Sequence, residues 1–316
     1  MLELCRRDQW RASDLDWSRT PRALSRDDEL AIVQLFTDMA AIERLAGAMF
    51  TEQRRRATDP RLQQIFASFV VDEARHAAVA ERLARFYDVH HYRAYATSPA
   101  LVSFTPHFVH AIRFLSDDVA NAYITGGELI LDVALLRSIN DYVQDPMSQQ
   151  AMDLINRDES RHIAVDYHMS EYYASPAYTA RLETAPALPV RERAQAAWAF
   201  VNVLYFSAPF FRDVFFGPMD RIDPGGRRMR EAFKRMQLLG FKPGLKDRPF
   251  SRFNRVLHET FNHPVAGPVL GPLAARMVGV DARYMKRLYT EEEAASVEHR
   301  SFDDLAEDAL QAKYRN

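Results

Sequence analysis

The 316-residue sequence predicts an all-α protein, a single domain over 1–316 in which a four-helix core (25–175) is capped by a helical extension (176–316). Three observations carry that expectation. Apolar residues recur at i, i+3, i+4 spacing almost throughout, the period of helices that bury one face. Runs of β-branched residues are scarce, low-complexity tracts are absent, and there are 11 glycines. Finally, the chain writes nearly the same segment twice, DPRLQQIFASFVVDEARHAAVA from Asp59 and DPMSQQAMDLINRDESRHIAVD from Asp145.

The first helix is placed from Ser25, whose spacing to Asp28 resembles a capping box, to about Arg55. The second starts at Pro60, a residue suited to a first helical turn, and reaches about Tyr87. A connection through His90 and Pro99 leads to a third helix from about Pro106 to Val143. The fourth starts at Pro146 and ends near Ala174, ahead of Ser175-Pro176. Prolines 176, 186 and 189 mark a linker, and further helices are expected over about 190–216, 224–239, 251–262 and 300–313. Glycine and proline at 217–218, 225–226 and 243–244 mark turns.

Composition narrows the functional classes. A net charge of −2 argues against a dedicated nucleic-acid binder, and a single cysteine, Cys5, leaves no internal disulfide framework and fits a reducing cytoplasm. The N-terminus MLELCRRDQW lacks the apolar stretch of a signal peptide. The most apolar segment, Ala196–Phe211, falls short of the roughly 20 residues of a membrane span. It is expected to be a buried helix of a soluble protein without a membrane partner.

The duplicated segments are the second arms of two helical hairpins. Glu43 lies 30 residues before Glu73, and Glu128 lies 31 before Glu159, with Asp-Pro turns near both midpoints. In an antiparallel hairpin, residues equally far from the turn lie side by side, so Glu43 should face Glu73 and Glu128 should face Glu159. Each acid interrupts an apolar stripe: Phe36, Met39, Ala46 and Phe50 flank Glu43, and Ile124 and Leu131 flank Glu128. Burying those stripes buries four carboxylates together. Desolvation costs several kcal/mol for each bare ion, and the four repel one another. Two divalent cations cancel that charge. In both Glu-x-x-His pairs, Glu73/His76 and Glu159/His162, the i, i+3 spacing puts carboxylate and imidazole on one face, within reach of one metal. Asp72 and Asp158 are placed to accept the second N–H of a metal-bound histidine from the opposite repeat, and Arg75 and Arg161 to pair with those aspartates.

With these residues the chain resembles the ferritin-like dinuclear-iron carboxylate superfamily, whose ligand pattern is two Glu-x-x-His helices and two single-Glu helices. The resemblance covers about residues 25–175 and rests on Glu43, Glu73, His76, Glu128, Glu159 and His162. Within it the chain is similar to the ribonucleotide reductase small-subunit group, in particular its ligand-binding oxidases. DLDWS (Asp14–Ser18) resembles that branch's N-terminal segment. Tyr123, five residues before Glu128, takes the position of the tyrosine that branch cross-links to the first helix; the partner position is Leu45, where the branch commonly has valine. The chain is also similar to the arylamine N-oxygenases in the same six ligands and in size, although their seventh ligand, a histidine, is replaced here by Ile155. Carrier-protein-linked acyl desaturases share Asp-Glu-x-Arg-His helices, and that likeness makes the basic stretch from Arg221 to Arg255 a candidate dock for an acidic carrier protein or an anionic substrate.

The resemblance implies two iron ions, or a manganese–iron pair, with O₂ as co-substrate. It also implies catalytic roles for the six ligands and Tyr123, and it admits an electron-donor protein and a homodimer. Three function classes follow: an O₂-dependent oxidase or oxygenase of a small apolar or amphipathic substrate (hydroxylation, desaturation or N-oxygenation), a ferroxidase or other iron-handling protein, and a radical-generating subunit of a larger enzyme. The aromatic residues after 176, Phe200 to Phe216, would line an apolar pocket over the metals and favour the first. The third needs a partner-binding tail and an electron path, for which the acidic stretch Glu291 to Asp308 and Tyr314 are candidates. Gly126-Gly127 cost a helix roughly 1 kcal/mol each. They make room for O₂ or substrate, permit a π-bulge beside Glu128, or let another helix approach. Asp166, one turn after His162, is a candidate extra ligand.

Overall fold

The computed structural model describes residues 1–187 and 189–313, and every regular element among them is helical. Tyr314 lies outside the described residues. A short α1 (Leu2–Arg7) and a 3₁₀ turn at Ala12–Asp14 precede the long helices α2 (Arg26–Arg56) and α3 (Pro60–Tyr87). Ser25 caps α2 by accepting from the amide of Asp28 at 3.2 Å. The duplicated Asp-Pro turns use one device twice. Asp59 accepts from the amide of Arg61 at 2.7 Å, and Asp145 from that of Met147 at 2.8 Å, with Pro60 and Pro146 in the first turns of α3 and α7 (Pro146–Ala174).

The third long helix departs from the expectation. Instead of starting at Pro106 it is preceded by a separate α4 (Pro99–Ile112), and α5 (Asp117–Glu128) begins after a turn at 113–116. The cause is a side chain from another element. Arg56, at the end of α2, donates to the carbonyls of Ile112 (2.8 Å) and Leu115 (2.6 Å) and pairs with Asp117 at 3.2 Å, so it satisfies the end of α4 and anchors the start of α5. The helix then changes its winding: Leu129–Leu136 is π-helical before α6 (Arg137–Val143) restores the α form.

After α7 come α8 (Pro176–Thr184), α9 (Val190–Phe210), a second π-helical stretch (Phe211–Phe216), α10 (Gly217–Ile222), α11 (Arg227–Leu239), α12 (Pro249–Asn262), α13 (Gly267–Val278), α14 (Ala282–Met285), α15 (Glu291–His299) and α16 (Phe302–Ala312). Part of the expected linker is therefore helix: Ser175 caps α8 through the amide of Tyr178 at 3.2 Å, with Pro176 in the first turn. Helices α1, α10 and α13 to α15 lie outside the expected segments, and Gly217-Pro218, expected as a turn, instead begins α10.

Helix α2 packs on α3, α5 on α7, α2 on α5 and α3 on α7, so four long elements enclose one interior. Helices α11 and α16 cover the π-helical stretch 129–136, whose eight residues are all buried. Two helices, Asp117–Val143 and Val190–Ile222, are long and apolar enough by composition to cross a membrane; the most apolar window of the first is 72% buried, that of the second 39%. The expectation that Ala196–Phe211 is buried thus holds for one face only, because Trp198, Val201 and Tyr205 are exposed.

Candidate metal centre

The interior of the four long helices holds Glu43 from α2, Glu73 and His76 from α3, Glu128 from the end of α5, and Glu159 and His162 from α7, each at most 4% exposed. Their donor atoms form two overlapping sets, Glu43–Glu73–His76–Glu159 and Glu73–Glu128–Glu159–His162, with all atoms of a set within 4.8 Å of one another. Glu73 and Glu159 belong to both, the position of carboxylates that bridge two cations. His76 Nδ1 lies 3.0 Å from Glu159 Oε1, and His162 Nδ1 lies 2.9 Å from Glu159 Oε2 and 3.1 Å from Glu73 Oε1. Gly47, one turn after Glu43, allows this approach: a Cβ there would sit 3.3 Å from that of Glu73. Phe69 and Phe50 close over His162, with ring centroids 4.0 and 5.1 Å away.

Most of their donor atoms lack hydrogen bonds. Both carboxylate oxygens of Glu43, Glu73 and Glu159, one of Glu128, and Nδ1 of both histidines are buried without a hydrogen-bond partner. Among buried polar groups that is costly, about 1–3 kcal/mol for each neutral group and more for a charged one. Carboxylate oxygens and imidazole nitrogens directed at a common buried space could hold metal ions, and their number, type and charge would fit a pair of divalent cations.

Without cations, the cluster redistributes protons. Burial, reinforced by neighbouring Glu73 and Glu159, pushes the Glu43 carboxyl well above its ordinary range, and burial with the Glu159 charge does the same to Glu128. Burial works against charge on both imidazoles. For His76 the hydrogen bond to Asp158 and the adjacent Glu159 carboxylate outweigh it, and for His162 the Glu159 charge and the contact with Asp72 do, so both rings are held well above the usual histidine value. Glu159 is lowered despite burial, by the two imidazoles.

Around the donors runs the expected crossed arrangement. His76 Nε2 meets Asp158 at 3.2 Å, and His162 Nε2 faces Asp72 at 3.5 Å, each aspartate coming from the opposite repeat. Arg75 pairs with Asp72 and, at 2.8 Å, with Asp158; Arg161 pairs with Asp158 at 2.7 Å and Asp72 at 3.3 Å. Burial would raise Asp158, but the His76 hydrogen bond and the charges of His76 and Arg161 hold it well below the carboxylate range. Three contributors were not legible in the sequence. Trp10 donates from Nε1 to Asp158 at 2.7 Å, lies under the Arg75 guanidinium at 4.9 Å and stacks toward His76. Gln9 accepts from Arg75 at 2.9 Å. On the other flank Lys313 places its ammonium 2.7 Å from both Asp132 and Ser160, tying the C-terminal helix to the π-helical stretch and to the residue beside Glu159. Only the neighbouring DLDWS segment marked this N-terminal region, and its Trp17 serves another purpose, lying under Arg82 and against Phe86.

A cavity of 850 Å³ reaches Glu128 from the side of α5. Its wall is largely apolar, with Phe104, Phe108, Phe210, Phe211 and Phe250 among the lining residues, while Asn121, Thr125 and Ser170 add polar groups and Arg255, Glu259, Arg287 and Glu291 add charged ones. A side chain on Gly127 would meet nothing within 4 Å, whereas one on Gly126 would touch Met236 at 3.2 Å. The first glycine thus admits α11, and the second leaves space. Tyr123 lines the cavity between Phe108 and Phe250, and burial pushes its hydroxyl up to about 12; Leu45 lines the same cavity. Asp166 is buried with both carboxylate oxygens unpartnered, but it belongs to neither donor set. The basic stretch is largely engaged within the chain: Arg228 pairs with Asp141, Lys234 with Glu293, and Arg248 donates to the carbonyl of Tyr173 at 2.6 Å.

Comparisons with protein-family models, curated proteins and solved structures return no match to this chain.

Proposed function

We propose that the protein is a ferritin-like dinuclear carboxylate enzyme, holding two iron ions or a manganese–iron pair, that uses O₂ to oxidise a small apolar or amphipathic molecule by hydroxylation, desaturation or N-oxygenation. The observation that carries this reading is a pair of donor sets sharing Glu73 and Glu159, opening at Glu128 onto an 850 Å³ apolar cavity. A bound metal pair would supply the redox equivalents and Lewis acidity for O₂ chemistry.

The chain's own residues do the rest. Glu73 and Glu159 would span the two ions, Glu43 and His76 would complete one site, and Glu128 and His162 the other. Asp158 bonds His76 Nε2, which leaves Nδ1 of that ring toward the donor space and sets its tautomer, and Asp72 lies 3.5 Å from His162 Nε2, on the side away from the donor space. Phe50 and Phe69 keep water from His162, and the largely apolar wall of the cavity would bind the substrate by burial beside Glu128. Asn121 and Thr125 offer polar groups for orienting it.

A ferroxidase or a radical-generating subunit would need no such cavity. Metal-loaded protein supplied with a chemical reductant, the source of the two electrons that the substrate does not provide to O₂, and screened with apolar and amphipathic compounds is expected to consume O₂ in proportion to product found by mass spectrometry. Turnover of excess ferrous ion with no organic product would overturn the oxygenase reading in favour of iron handling.

A further inference from the structure

Eighteen large apolar side chains are exposed among the described residues, and ten of them fall between Val190 and Met277. They are organised. On α9, Trp198, Val201 and Tyr205 follow i, i+3, i+7 spacing, with Trp198 68% and Tyr205 74% exposed, while the opposite side buries Ala199, Val203 and Ser207. On α13, Val269, Leu273 and Met277 follow i, i+4, i+8 spacing and are exposed as well. The two stripes adjoin, because α9 and α13 pack together and Gly279, which ends α13, lies so close to Ala208 that an added Cβ would meet its Cα at 2.2 Å.

Arginines predominate on this face. Arg191, seven residues before Trp198, and Arg276, three after Leu273, share the apolar stripes, and Arg252 is exposed on neighbouring α12. None of the three has a carboxylate partner among the described residues. Helix α13 contains no acid, Glu192 lies about a third of a turn from Arg191, and Glu259 on α12 is paired with Arg255 at 3.7 Å. A second copy laid on this face would bring like charges together with nothing to offset them. Aromatic and aliphatic side chains level with unpaired arginines suit a lipid headgroup boundary, where rings and arginine stems lie at the interface and guanidinium groups meet phosphates.

We propose that the α9–α13 face docks on the surface of an anionic lipid bilayer, seating Trp198, Tyr205 and Leu273 among the headgroups with Arg191, Arg252 and Arg276 on lipid phosphates. The two ends of α13 also border the large cavity, through His263 and Pro264 at one end and Val278 and Val280 at the other. A docked molecule therefore presents the rim of its cavity to the bilayer. If the cavity is the substrate site proposed above, on which this clause rests, the substrates are molecules that partition into membranes.

Flotation with phosphatidylcholine vesicles, with and without phosphatidylglycerol, tests the proposal. Wild-type protein is expected to float with the anionic vesicles and to be released by salt. The double variant Arg191→Glu/Arg276→Glu should lose at least about tenfold in partitioning, and Trp198→Ser/Leu273→Ser should no longer float, both with unchanged helical circular dichroism. Wild-type protein that stays at the bottom of the gradient, or a dimer by light scattering that Leu273→Ser dissociates in the absence of vesicle binding, would overturn it. The readout needs no metal, so failed flotation leaves the metal centre untouched, and a metal-free protein leaves the docking face untouched.

Discussion

The two flanks of the donor cluster are built on opposite principles. On the Trp10 side, charges are packed and matched. Arg75 and Arg161 each pair with both Asp72 and Asp158, and Trp10 donates its indole N–H to Asp158. On the α5 side, Glu128 meets a largely apolar cavity of 850 Å³, and Gly127 leaves open space where a side chain would stand. The filled flank orients the imidazoles and admits no ligand; the open flank leaves room for one. A site meant only for structure would have been packed on both sides. On the function proposed above, the asymmetry would separate metal holding from substrate access, so substitutions on the two flanks should fail differently.

The largest effect is expected at the shared carboxylates. Glu73→Ala or Glu159→Ala removes a donor from both sets, and metal content measured by plasma emission should fall from about two equivalents per chain to near zero. Next comes the filled flank. Asp158→Asn leaves Arg75 and Arg161 under-compensated in a buried setting, so thermal unfolding should show a loss of about 3 kcal/mol, and metal affinity should drop about 10- to 100-fold.

pH gives a third handle. Glu43, Glu128, His76 and His162 all have raised values in the metal-free fold. Their stabilising contributions are complete below the ordinary values and are lost as pH rises through the raised ones. Metal-free protein should therefore lose stability as pH rises from the ordinary glutamate and histidine values through the interval up to the raised ones, by up to about 1.4 kcal/mol per pH unit for each proton released. Asp158, lowered in the fold, acts in the opposite sense and only at acid pH. Metal affinity should rise over the same interval, because loading displaces those protons; titrations at several pH values check both trends.

On the open flank, Gly127→Leu should fill the space beside Glu128, weaken binding of large apolar ligands, and leave metal content unchanged. Stability should change by no more than about 1 kcal/mol. The smallest effect is expected for Tyr123→Phe, with stability within about 0.5 kcal/mol of wild type and full metal content, because the ring is held by Phe108 and Phe250 rather than by its hydroxyl.

The legible and illegible parts of the sequence differ in where their determinants lie. The two hairpins could be read because their signals are local and doubled: Asp59-Pro60 and Asp145-Pro146 set the turns, and each Glu-x-x-His interrupts an apolar stripe. The break at 113–116 could not, since it is set by Arg56 from a helix more than fifty residues away. Trp10 and Lys313 were missed for the same reason: each reaches the cluster from near an end of the chain and has no periodic pattern of its own. Two adjacent glycines marked the vicinity of the π-helical stretch, but the stretch itself follows them over Leu129–Leu136, under α11 and α16. The apolar run after Ala196 indicated a helix, while its exposed face became evident only once its neighbours were in place.

The most direct test is the anomalous diffraction of crystals of protein loaded aerobically with iron, or with manganese and iron. Two anomalous peaks are expected within the space bounded by Glu43, Glu73, His76, Glu128, Glu159 and His162, with Glu73 and Glu159 contacting both. A single peak, or none there while those carboxylates stay buried and protonated, would contradict a dinuclear centre.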